Sequence, residues 1–141
     1  LEGADSYVSD PSAFQSSKVF QCPTARFPAG ILDPRFSIAF NSQLSQSTNV
    51  LLHAHYSSIL RPPATVLFLE SGVQGETKTL INQSDFLGRP YATAQRMSGR
   101  HNFGSNLGFA DGSARWYRVK QVVNPATGKA YPAPSDPQFA P

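Results

Sequence analysis

The chain has 141 residues, which fits one domain with a modest hydrophobic core, and its 40% hydrophobic and 15% charged residues exclude a disordered, charge-rich chain. No apolar run approaches the ~18 residues that span a bilayer, and 12 prolines with 10 glycines favour strands joined by turns over long helices. The formal charge is only +3, and the single cysteine, Cys22, excludes an intrachain disulfide and any multi-cysteine zinc site.

In chain order, residues 1–20 are polar, with Asp10-Pro11 as a turn or helix start and no basic, apolar leader at Leu1. Val19-Phe20-Gln21-Cys22-Pro23 predicts a short extended piece ending at Cys22, because the residue before proline is pushed out of the helical region. Residues 35–42 alternate, with Phe36, Ile38 and Phe40 on one side, and predict a strand. Residues 49–60 place Leu52, Tyr56 and Ile59 at helical spacing behind a possible Asn49 cap, so a short helix is expected, stopped by Pro62-Pro63. Ala64 to Glu70 is the clearest buried strand. Residues 71–99 read as an irregular excursion with one short strand near Thr79 to Ile81, and such excursions are often partner-facing.

Asp111-Gly112 between two apolar runs predicts a β-hairpin with a two-residue type I′ loop. That loop would set Phe109 opposite Ala114 and Leu107 opposite Trp116. Leu107, Phe109, Ala114 and Trp116 would then share the buried side, and Asn106, Gly108, Arg115 and Tyr117 the wet side. Beyond Val123 the prolines predict an extended arm over 124–141, whose Tyr131 and Phe139 either dock on a neighbour or stay loose. The expectation is an α+β head domain over 1–123 followed by a proline-rich C-terminal arm over 124–141.

Candidate chemistry is sparse. Cys22 would need a basic neighbour or a helix N-terminus to become a nucleophile, and Phe20 and Pro23 beside it suggest a small buried hydrophobe instead. Ten steps of strand at ~3.3 Å each would hold His101 and Asp111 about 30 Å apart, so His101 is expected to be structural. His53 and His55 form an H-x-H that could bind zinc with His101, although nothing in the sequence brings the three together. There is no nucleophile elbow and no phosphate-binding glycine loop. Arg89, Arg96, Arg100, Arg115, Arg118 and Lys120 stand against Asp111 alone between positions 89 and 120. Interleaved aromatics could serve a nucleic acid, but the expected register turns Phe109 and Trp116 inward, so nucleic acid is not an expected partner.

Three segments together resemble a family. Val19-Phe20-Gln21-Cys22-Pro23 is similar to a V-F-x-C-P element, and Ile59 through Phe68 resembles I-x-x-P-x-x-T-V-L-F. His101 through Asp111-Gly112 has the spacing H-x9-D-G. In this order they resemble the pseudopilin-like, prepilin-type proteins with a processing-associated H-x9-D-G region, in type II secretion or type IV pilus-like systems. The resemblance implies a pilin-like head domain with a small antiparallel sheet, and marks Cys22, Pro23, His101, Asp111, Gly112 and Trp116 as structural motif residues. It implies a non-enzymatic filament or secretion-apparatus subunit in the cell envelope, periplasmic or extracellular. Its partners would be copies of itself or related subunits. The membrane would be reached only through an N-terminal helix, and Leu1 is expected to lie beyond that helix. Related head domains can carry calcium in loops, for which Asp85, Asn102 and Asp111 are the candidate oxygen donors; no other cofactor is expected. A second reading is an extracellular or periplasmic module that binds acidic polysaccharide or nucleic acid through the basic hairpin face around Arg115. A metal-dependent hydrolase comes third.

Overall fold

The computed structural model describes residues 19–29, 35–44, 56–76, 88–132 and 136–140. The alternating and apolar runs form strands β1 (Ile38–Asn41), β2 (Val66–Glu70), β3 (Tyr91–Ala92), β4 (Gly104–Phe109) and β5 (Ala114–Arg118). They make one sheet in the order β3-β1-β2-β4-β5. Three of the four pairings are antiparallel, but β1 and β3 run parallel with Phe40 opposite Tyr91. The sheet is therefore mixed, not antiparallel throughout, and the architecture is α+β. A four-residue helix α1 (Val119–Val122) follows β5, and Gln121 Oε1 accepts the Arg118 N–H at 3.0 Å across its first turn. No helix among the described residues is long and apolar enough to cross a membrane.

The core lies on the face carrying Ala39, Leu69, Leu107 and Phe109, where Met97, Val119, Val122 and Val123 close over them. Burying a side chain such as Leu69 or Leu107, both fully inaccessible, contributes ~2 kcal/mol. Asn41 is polar yet buried in this face because its amide is satisfied. Nδ2 donates to Val66 O and to Phe139 O, both at 2.8 Å, and Oδ1 accepts the Gln43 N–H at 3.1 Å.

Those bonds change the picture of the C-terminal arm. Pro137 has no N–H, but Gln138 does, and it donates to Ala64 O at 2.9 Å while its own carbonyl accepts Val66 N–H at 2.9 Å. Phe139 is thereby lowered into the core at 3% exposure. Residues 136–140 dock on the sheet instead of extending from it, and Tyr131, though 40% exposed, donates its N–H to Val122 O at 3.1 Å.

The β4–β5 hairpin departs from the expected register by one residue. Phe109 N–H donates to Ser113 O at 2.8 Å and Gly112 N–H to Phe109 O at 3.0 Å, so the loop holds three residues, Ala110, Asp111 and Gly112, with Gly112 at φ +86°. This is the arrangement in which a glycine in the left-handed region follows a turn. Gly108 consequently opposes Ala114, and Asn106 opposes Trp116. A slip of one exchanges the faces. Arg115 and Tyr117 join Leu107 and Phe109, with the Arg115 guanidinium 3.8 Å from the Phe109 ring centroid, and Trp116 turns to the other face at 42% exposure. The expected burial of Trp116 is thus overturned.

A tight two-residue reversal does occur, at Asn102-Phe103. Both have positive φ, 55° and 61°, and His101 and Gly104 exchange backbone bonds at 3.3 and 3.1 Å. Two further expectations shift. Residues 19–23 form turns, with Cys22 O accepting Ala25 N–H at 2.9 Å, and are not an extended piece. Of the helix expected over 49–60, the described part is one 3-10 turn, Tyr56–Ser58; its start, like the strand expected near 79–81, lies outside the described residues.

Candidate functional site

Glu70 ends β2 on the face opposite the main core, a carboxylate closing the most apolar run of the chain. It is 6% exposed and kept in place by hydrogen bonds. Oε2 accepts the Asn106 N–H at 2.8 Å and the Ser105 hydroxyl at 3.2 Å, and Oε1 accepts from Asn106 Nδ2 at 3.3 Å. Two segments converge on Oε1. The Asn102-Phe103 reversal carries His101, whose Nε2 lies 3.0 Å from Oε1. The turn after Phe20 carries Cys22, whose Sγ lies 3.3 Å from the same Nε2 and 3.0 Å from Thr24 Oγ1. Ser37 anchors that turn by accepting the Cys22 N–H on its hydroxyl at 2.6 Å.

Sγ, Nε2 and a Glu70 carboxylate oxygen all lie within 4.8 Å of one another. Burial pushes the Cys22 thiol up, but hydrogen bonds from the Thr24 hydroxyl and backbone N–H, then His101 and the Arg100 charge, outweigh it and hold the thiol below its ordinary value. Arg100 itself is neutralised nearby, 2.7 Å from Glu76, and donates to Ser71 O at 2.6 Å.

The trio has the residue types of a nucleophilic triad without its wiring. A triad uses one ring nitrogen for the nucleophile and the other for the carboxylate, whereas here Nε2 faces both Sγ and Oε1. Two concavities among the described residues, about 370 and 360 Å³, lie elsewhere: the first against Gln43, Gln95 and Tyr131, the second against Leu60, Pro63 and Asp136.

The structure separates other residues that the sequence had suggested. Asp111 sits at the exposed tip beyond β4, accepting the Ser113 N–H at 2.9 Å and hydroxyl at 2.7 Å, while His101 and Asn102 are at the other end of that strand. The Ser113 hydroxyl first, then its backbone N–H, hold the Asp111 carboxyl below the usual carboxylate range. Asn102 and Asp111 therefore cannot share a calcium ion as proposed, and Asp85, His53 and His55 lie outside the described residues. The basic cluster is dispersed, since Arg100 is buried against Glu76 and Arg115 lies on Phe109 and donates to Pro63 O. Pro23 is exposed next to Cys22.

Glu70 was not singled out from the sequence. The available signal was a carboxylate closing a run of buried strand residues, a placement that requires a partner.

On the same face as Glu70, one row crosses all five strands: Tyr91, Phe40, Phe68, Gly108 and Ala114 are successive register partners. Phe40 makes edge contacts with Phe68 and Tyr91 at centroid distances of 5.6 and 6.0 Å, and Phe20 lies over Phe68 at 6.3 Å. The chain matches no family model, no curated protein and no solved structure.

Proposed function

We propose that the chain is a non-enzymatic assembly subunit, the head domain of a pilin-like or pseudopilin-like protein of the cell envelope. Its partners are other copies or related subunits of a filament or secretion apparatus. The observation that carries this reading is the aromatic row across the second sheet face. A monomer hides such a row, yet here Phe40 and Phe68 are half-buried and Tyr91, at one edge, is 44% exposed, with Trp116 of the adjacent row 42% exposed at the other. Covering the open half of either edge aromatic contributes ~2 kcal/mol. A subunit that repeats such contacts head to tail generates an open helix. Two of the segments that carry the family resemblance meet through Cys22 and His101, and Phe20 of the first lies on Phe68 of the remaining one, which supports reading them as one unit.

The binding-module reading has less support, because the register moves Arg115 off the wet hairpin face and leaves Arg118 there at the end of β5. The test is a photo-crosslinking residue at Tyr91 in the full-length protein, expressed in its native host. The expected result is adducts with copies or related subunits, and loss of the protein from sheared surface fractions in Tyr91→Asp. A folded protein that forms no adducts and remains monomeric overturns the proposal. Salt-sensitive retention of that monomer on heparin would transfer the role to the binding module.

A further inference from the structure

The geometry points to a zinc site: we propose that Cys22 Sγ, His101 Nε2 and Glu70 Oε1 bind one zinc ion and lock the 19–29 segment onto the sheet. This goes beyond the assembly reading and does not depend on it.

The distances come first. Zinc holds sulfur at ~2.3 Å and nitrogen or oxygen at ~2.0–2.1 Å, so tetrahedral geometry sets S···N edges near ~3.5 Å and N···O edges near ~3.4 Å. The two edges at Nε2 are 3.3 and 3.0 Å, a few tenths of an ångström short of these values, and Sγ lies within 4.8 Å of the Glu70 carboxylate, so the three donors are close enough to share one ion.

Hydrogen bonding gives an independent argument. Nε2 carries at most one proton and lies between a sulfur and a carboxylate oxygen. One proton cannot serve both well, whereas a cation satisfies all three donor atoms at once. Charge balance agrees, because a thiolate and a carboxylate together neutralise a divalent ion, and Arg100, whose charge acts on Cys22, is already matched by Glu76. The donor set is selective too: thiolate with imidazole suits zinc, while calcium and magnesium demand oxygen.

The surroundings are those of an oriented ligand shell. The Asn106 N–H and Ser105 hydroxyl fix Oε2 and so aim Oε1 at His101, and the Thr24 hydroxyl fixes Sγ. The His101 side chain is 32% exposed and that of Glu70 8%, so ion and solvent reach the site from the histidine side, where water completes the coordination.

The test uses the full chain, stripped of metal with a chelator and titrated with cobalt and then zinc. One equivalent of cobalt should give a thiolate-to-cobalt charge-transfer band with intense tetrahedral visible bands, bleached by one equivalent of zinc. Because Cys22 is the only thiol, the band in the native chain identifies the ligand even where Cys22→Ser misfolds. Glu70→Gln should weaken zinc at least ~10-fold, and a His53→Ala, His55→Ala double variant should bind as the native chain does. A folded native chain that shows no charge-transfer band overturns the site. So does zinc binding that survives Cys22→Ser and is lost in the double histidine variant.

Discussion

Replacing Gly104 with alanine tests the hairpin register and the floor of the site together. A Cβ at Gly104 would lie 2.4 Å from both Cε2 and Cζ2 of Trp116 and 2.5 Å from Tyr117 O. The indole could swing away, but only by surrendering its Nε1 hydrogen bond to His101 O, now 3.0 Å, which costs ~1 kcal/mol. The carbonyl cannot move so freely, because Tyr117 is paired with Ser105 in the ladder. Overpacking of this kind adds ~2 kcal/mol, and the intrinsic gain of alanine over glycine in a strand returns ~0.7 kcal/mol. The net expectation is a loss of about 2–3 kcal/mol. With a urea slope of ~2 kcal/mol/M, the unfolding midpoint should fall by roughly 1 M. Gly108→Ala is the matched control, since its nearest neighbour would be Phe68 Cβ at 3.5 Å, an ordinary contact, and its midpoint should hold or rise slightly. A two-residue loop would put Trp116 on the opposite face, where a methyl at Gly104 cannot touch it. Gly104→Ala melting at the native midpoint would therefore refute the register.

Two other measurements probe how the site is held. Phe103 sits at φ 61° with its ring 64% exposed, so Phe103→Gly should gain about 0.5–1 kcal/mol, the relief of left-handed strain less the added freedom of the unfolded chain. Phe103→Val, β-branched at the same φ, should lose more than ~1 kcal/mol, and urea midpoints in the reverse order would rule out the tight reversal. In the metal-free chain the Cys22 thiol is held below its ordinary value, since burial raises it but the Thr24 hydrogen bonds, His101 and Arg100 together lower it further. Its stabilising effect is full above the unfolded-state value and is lost as pH falls through the lower folded-state value. The pH midpoint of iodoacetamide alkylation should accordingly lie below that of the urea-unfolded chain; a midpoint at or above it would contradict this account.

Local rules reached some of this architecture and missed the rest for identifiable reasons. β1 and β2 were legible because alternation and a β-branched, apolar run speak for themselves. The hairpin's position was legible in Asp111-Gly112, but its register was not, since the same dipeptide suits a two-residue loop and a three-residue loop with glycine in the left-handed region. That single ambiguity inverted Arg115, Trp116 and Tyr117. Phe139 was misread because proline content describes what a segment cannot donate, while docking here uses the one N–H of Gln138, the carbonyls of Gln138 and Phe139 as acceptors, and the hydrophobic Phe139 side chain. For the candidate site, two members, Cys22 and His101, stood out in the sequence, but as separate structural residues. Their meeting at Glu70 joins positions 22, 70 and 101, a long-range consequence of strand order that no local pattern encodes.

The H-x9-D-G spacing acquires a physical meaning from the strand it encloses. Between His101 and Asp111 lie a two-residue reversal, the six residues of β4 and Ala110. Within β4, Gly104, Asn106 and Gly108 lie on the face of Glu70 and the aromatic row and Leu107 and Phe109 on the other, while the Ser105 hydroxyl still reaches the Glu70 carbonyl and Oε2, both at 3.2 Å. His101 can approach Glu70 only if Asn106 is on its face, and Phe109 can fill the core only if the parity holds through to the next turn. One residue more or fewer in β4 would present Leu107 to solvent or pull Asn106 away from the carboxylate it holds. The interval is a strand of fixed length between two reversals, and it couples the position of His101 to the packing of Phe109 on the opposite side of the sheet.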